Sequence, residues 1–254
     1  MMRASNYAFF AAFSLCACAH PCLHVAGAPQ ESSGQETERL IKEAKGGDTC
    51  AANDLGLKFE KDKDCKTALK WYRKGAHGGN VIAQFNLARN YESGTCATQD
   101  RRLARKWYRR AAQAGYGSAM TRMGVLLYSG VGDEADHAGA RLWFEKSVAS
   151  GEQDSEVALA AMCMTGDGGP TDYERAFTLA SDAAKRRDAG GEETLGGLYA
   201  NGWGTKRDLV QGYRYLLLSS RTGDAGSKAT LEQVGLLMTD GEIAQATALA
   251  EDAQ

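Results

Sequence analysis

The chain has 254 residues, 43% of them apolar, with 30 Lys/Arg against 32 Asp/Glu and a net charge of −2. That length can bury a full core, as one or two compact domains or as one array, and three prolines with few β-branched clusters argue against an all-β chain. The near balance of charge leaves no standout basic face for counterion-release binding to nucleic acid, so RKWYRR (105–110) reads as the exposed side of one helix.

Met1-Met2-Arg3 is a short basic start, and YAFFAAFSLCAC (7–18) follows it with 12 apolar or small residues. A membrane span needs about 20, so the run fits the apolar part of a secretory signal, and residues 1–18 are read as that signal. Two processing routes stay open. Leu15-Cys16-Ala17-Cys18 resembles a bacterial lipobox, which would place a lipid on Cys18. Ordinary cleavage would fall at Ala17-Cys18-Ala19, or as late as Ala26-Gly27-Ala28. Residues 19–36, with Pro, Gly, Ser and Gln, read as a flexible tether. The expectation is an exported protein of the periplasm or outer envelope, touching the membrane only through such an anchor.

From Thr37 onward the chain repeats itself. Asp64, Asp100, Asp136, Asp172 and Asp208 are 36 residues apart, and Leu87, Met123, Leu159, Leu195 and Leu231 keep the same step. Trp71, Trp107, Trp143, Leu179 and Tyr215 do so as well. A fixed period of this size marks a repeat architecture. Thr37–Lys45 is one helix without a partner, an N-terminal cap. Five helix-turn-helix repeats then span about 49–226; the first has a turn four residues shorter than the others, since Leu55 to Trp71 is 16 positions and Leu87 to Trp107 is 20. A final pair, Ser227–Met238 and Glu242–Ala253, lacks the aromatic residues and reads as the C-terminal cap that arrays need for solubility.

Each recurring residue has a physical task. The Asp can cap the free N–H groups that open the second helix. The small residue after each Leu (Gly56, Ala88, Gly124, Ala160, Gly196) lets the paired helix approach. Gly94, Gly130, Gly166 and Gly202 supply the left-handed residue that ends the first helix. Together, L-G/A-x-x-Y-x-x-G followed by D-x-x-x-A-x-x-W-Y-x-x-A-A-x-x-G resembles the Sel1-like repeat family, over about residues 37–253. The resemblance implies an all-α fold, an α/α superhelical solenoid with terminal caps, that binds another protein or peptide on its concave face. It implies no common catalytic residues and no cofactor. Repeat 4 departs furthest, with Cys163 at the Tyr position and Leu179-Ala180 at the aromatic pair.

Site chemistry is sparse. His77 and His137 lie in unrelated repeats, outside any metal-ligand spacing. Gly166-Asp167-Gly168-Gly169 and Gly202-Trp203-Gly204 occupy repeat turns and lack the strand that phosphate loops follow. Cysteine-rich secreted relatives raise β-lactam binding or hydrolysis as an alternative, but the chain contains neither Ser-x-x-Lys nor Lys-Thr-Gly. A passive envelope-assembly role is a further alternative. The cysteine-rich branch pairs cysteines seven or eight residues apart; here Cys65 and Cys96 instead fall at one edge of neighbouring repeats, and bridging them would add about 3 kcal/mol. Cys163 reads as a buried thiol. The leading expectation is a non-catalytic interaction scaffold whose concave face carries Asn86, Arg89, Asn90 and Arg122, facing a peptide or acidic partner.

Overall fold

The computed structural model describes residues 32–130, 134–221 and 225–252. The expected signal peptide, the lipidation candidate Cys18 and the tether up to residue 31 lie outside the described residues. Every element among the described residues is helical, and the chain divides into two compact units after Ala83.

In the first unit, α1 (Ser33–Lys45) packs on α2 (Thr49–Lys61), which packs on α3 (Cys65–His77). α1 begins four residues earlier than Thr37, so residues 33–36 are helix and not tether. The reason is a capping box: Ser32 Oγ accepts from the Gln35 N–H, and the Ser32 N–H donates to Gln35 Oε1. Leu40 and Ala44 then close a core with Ala51, Ala52, Leu55 and Trp71. That is the expected N-terminal cap.

The division falls inside α4 (Val81–Ser93). The second unit continues with α5 (Arg101–Gln113), α6 (Gly117–Tyr128), α7 (His137–Ala149), α8 (Glu156–Thr165) and α9 (Tyr173–Lys185). It ends with α10 (Ala189–Asn201), α11 (Leu209–Ser220), α12 (Ala225–Gly235) and α13 (Asp240–Glu251). From α5 to α12 each helix packs on the next, and α13 returns to α11, which is the stacking of a solenoid.

The recurring Asp holds each turn twice. Asp64, Asp100, Asp136, Asp172 and Asp208 accept through Oδ1 from the backbone N–H three residues on, at 2.8–3.1 Å. Their own N–H groups donate to the carbonyls of Phe59, Tyr91, Leu127, Cys163 and Tyr199 at 2.8–2.9 Å, the last turn of each first helix. The small residue behaves as expected too. A Cβ at Gly124 would lie 2.6 Å from the Phe144 ring, and one at Gly56 2.4 Å from Tyr72.

Junctions between successive repeats are equally tight. Residues eight apart meet there and are small: Ala183 faces Gly191, whose Cβ would fall 2.4 Å away. The same register holds Ser147–Ser155 and Ser219–Ser227. Ser219 and Ser227 share a hydrogen bond of 2.8 Å, while Ser147 and Ser155 each bond to Thr121 Oγ1 at 2.9 Å.

Gly94, Gly130, Gly166 and Gly202 adopt φ of 62–78°, as expected. In the shortened turn of repeat 1, Asp62–Asp64, the left-handed residue is Lys63 at φ 63°. Two outcomes follow. Lys63 is exposed, so Lys63→Gly relieves a left-handed Cβ and should raise stability by about 0.5–1 kcal/mol after the entropy cost of glycine, read as a higher melting temperature. Asp100→Ala removes a cap and should lower stability by about 0.5–2 kcal/mol in the same assay.

Candidate binding site on the first helices

The first helices α2, α4, α6 and α8 expose one register in common, Leu57, Arg89, Val125 and Ala161, which in α10 is the half-buried Gly197. Leu57 and Val125 are 41% and 40% exposed, high for aliphatic side chains. Side-chain size falls from Val125 to Ala161, and Arg122 is followed one repeat later by Ala158. Between α6 and α8 these alanines leave a cleft of about 290 Å³, floored by buried Phe144 and Met162 and walled by Val125, Ala158 and Ala161.

Its rim is polar. Tyr128 OH donates to Asp167 Oδ2 at 3.2 Å, and the Tyr128 ring stacks on His137 at 4.8 Å. His137 Nδ1 lies 3.6 Å from Asp167 Oδ1, so one carboxylate steadies both rings. That hydrogen bond, with the charge behind it, pushes the Tyr128 phenol up from its ordinary value. Ser129 Oγ donates to the Val125 carbonyl at 2.8 Å and is thereby committed to its own helix. The arrangement suits gripping an apolar side chain beside a hydrogen-bond acceptor. A volume near 300 Å³ is at the small end of ligand sites.

The rim also shows how the repeat tolerates change. In repeat 2 the equivalent pair is Glu92 and Tyr108, with Tyr108 OH donating to Glu92 Oε2 at 2.7 Å. Repeat 1 has Tyr72 and Glu60 at 2.5 Å. In repeat 3 Phe144 takes the Tyr place and Tyr128 the Glu place, so both polar atoms leave the interior together. Burial first, then the Glu92 hydrogen bond, pushes the Tyr108 phenol strongly upward.

The four residues expected on the binding face separate. Arg89 is exposed. Arg122 is 44% exposed and pairs with Glu92 at 3.5 Å, so it sits on the surface already engaged. Asn86 and Asn90 are 5% and 1% exposed and cannot line an open groove, which corrects that expectation. Asn90 donates through Nδ2 to the Asn86 carbonyl at 3.0 Å, an inward-facing role. The period itself carries the signal: Asn90 shares its register with Leu126, Met162 and Leu198, all buried.

Cysteine chemistry is structural. Cys163 is a free, fully buried thiol, as expected, and burial pushes its pKa up, away from thiolate reactivity. The space left by the missing Tyr is taken by Arg141, 8% exposed, whose Nη2 donates to Cys163 Sγ at 3.5 Å and Nη1 to the Pro170 carbonyl at 2.9 Å. One repeat later the same two registers hold Phe177 and Tyr199, edge to face at 5.2 Å. Cys65 and Cys96 are each disulfide-bonded, and so is Cys50. Among the described residues no group of three or more His, Cys, Asp or Glu is placed to hold a metal ion. None of the helices there is long and apolar enough to cross a membrane.

Stacked helix pairs of fixed period, joined by Asp-capped turns, define a helical-repeat protein. Residues 51–80, 81–116, 117–152, 153–188 and 195–224 match the Sel1 repeat, and the chain belongs to the Sel1 repeat family. Among solved structures, it is similar to a protective antigen of uropathogenic Escherichia coli with an SLR fold, at 28% identity and a TM-score of 0.76. That match covers 86% of this chain and 48% of the antigen, so the chain spans about half of that protein's length. A Sel1 repeat protein from Oxalobacter formigenes shares the fold at 24% identity and a TM-score of 0.69, over 86% of this chain and 96% of that one. A comparison with curated protein sequences finds no match. Sel1 repeat proteins generally mediate protein–protein interactions.

Proposed function

We propose that this protein is a non-catalytic interaction scaffold of the cell envelope, exported by its N-terminal segment, and that a partner protein inserts an apolar side chain into the α6–α8 cleft. The observation behind this reading is the pairing of an open apolar cavity with a fixed acceptor, Asp167, at its rim. A Leu- or Phe-sized side chain buried there contributes about 1.5–3 kcal/mol, and Asp167 can take a backbone N–H from the same segment.

Ala161 lies exposed on the cleft wall, so Ala161→Trp fills the site without touching the core. Crosslinking and affinity capture from the native envelope fraction should return a recurrent stoichiometric partner, weakened at least about tenfold by Ala161→Trp and unaffected by the remote Lys206→Glu. A partner indifferent to Ala161→Trp would reject the cleft; nitrocefin turnover by the purified protein would reject the non-catalytic reading. The mass of the mature chain in the same preparation decides between a lipidated Cys18 and a later, unmodified start.

We also infer that Cys65 pairs with Cys96. The turn glycines Gly168 and Gly204 press on the backbones of His137 and Tyr173, 31 residues before each. Cys96 and Cys65 occupy those two registers with the same separation, and each is disulfide-bonded. Non-reducing peptide mapping should recover the Cys65 and Cys96 peptides joined, and finding either linked elsewhere would remove the assignment.

A further inference from the structure

The second helices turn their outer sides away from the packed interior, and, ahead of α3 with Lys66, Lys70, Arg73 and Lys74, the most cationic of them is α5. Its buried side is Ala104, Trp107, Tyr108, Ala111 and Ala112. Away from these stand exposed Arg102, Lys106, Arg109 and Arg110, with Arg101 exposed at the helix start, Arg105 half-buried, and no acidic residue anywhere in the helix. Arg102, Arg105, Lys106, Arg109, Arg110 and Gln113 border a single open groove along it.

Several cations elsewhere are matched within the fold: Arg39 with Glu43, Arg141 with Glu145, Lys185 with Asp182, Arg186 with Glu156. Among the described residues, no carboxylate comes within ion-pair distance of Arg101, Arg102, Lys106 or Arg109. Arg110 lies over the Trp107 ring at 4.7 Å, which fixes one end of the row.

We propose that the exposed side of α5 is a docking surface for an acidic protein segment in extended conformation, separate from the α6–α8 cleft. One row runs along the outer side of the helix, Arg102, Lys106 and Arg110, stepping four residues, or about 6 Å, with Arg109 beside it. Alternate side chains of an extended chain step about 6.6 Å. Three carboxylates on every second residue therefore meet three cations with a cumulative mismatch of about 1 Å, within the reach of an arginine. Three of these four cations are Arg, whose planar fork donates two parallel hydrogen bonds to a carboxylate.

Other polyanions fit less well. Single-stranded nucleic acid is held by aromatic side chains on which bases stack, and Trp107 and Tyr108 are buried at 5% and 0% exposure. Membrane-surface helices set large apolar residues into the lipid boundary, and α5 exposes none.

The test is fluorescence anisotropy of the purified chain against a labelled nonapeptide of alternating Glu and Ser. Parallel titrations use a thymidine dodecamer and vesicles of equimolar phosphatidylglycerol and phosphatidylcholine. The peptide should bind in a salt-dependent manner, weaken at least about tenfold in Arg102→Glu/Arg109→Glu, and be unaffected by Lys206→Glu. Circular dichroism checks that the double variant is folded; should it not be, Arg102→Ala/Arg109→Ala gives the same reading with a smaller loss. Absence of peptide binding, affinity indifferent to both double variants, or tighter binding of the oligonucleotide or vesicles would overturn the proposal.

Discussion

One aspartate per repeat governs this fold, and it acts through backbone on both sides. Its N–H ties down the last turn of the first helix and its carboxylate opens the second. The two helices of a pair are thereby fixed in phase before any side chain meets another. Only with that phase set does the ring at position 144 land on the missing Cβ of Gly124. Because both bonds use backbone partners on the far side, they hold equally well when repeat 4 carries Cys163 at one anchor point and Leu179-Ala180 in place of the aromatic pair.

Side-chain packing, freed from setting the phase, changes in matched pairs. Arg141 with Cys163 in one repeat becomes Phe177 with Tyr199 in the next. Tyr108 with Glu92 becomes Phe144 with Tyr128. Each exchange conserves volume or moves polar atoms out together, so no buried group loses its partner. The departure at repeat 4 is met in this way, by a guanidinium occupying the room of a phenol ring. The cleft arises where matching stops: α8 offers Ala158 and Ala161 to the larger residues of α6, and nothing in the unit fills the difference.

What was legible in the sequence follows the same division. The period, the caps, the small residue and the left-handed glycines are backbone requirements, and they recur through the array with Lys63 of repeat 1 as the exception among the turn residues. The start of α1 was not legible from composition, because Ser32 and Gln35 look like tether residues until their capping box is closed. Asn86 and Asn90 were misplaced because polar identity was weighed above register; Asn90 stands where three other repeats bury Leu or Met. The cleft is defined by absent side chains, so a search for functional residue types passes over it.

The cations of α5 do not belong to either class. Packing asks only for the Ala104, Trp107, Tyr108 and Ala111 side, and α7, α9 and α11 satisfy the same demand with mixed or neutral outer residues. Like charges four apart on a helix destabilise it by about 0.2–0.5 kcal/mol each, and α5 carries such pairs at 101/105, 102/106, 105/109 and 106/110. The Arg110–Trp107 contact offsets only part of that repulsion. A helix that accepts this cost with no carboxylate among the described residues within ion-pair distance of Arg102, Lys106 or Arg109 is explained by what it meets outside the fold, and an acidic chain is the partner that converts the repulsion into attraction.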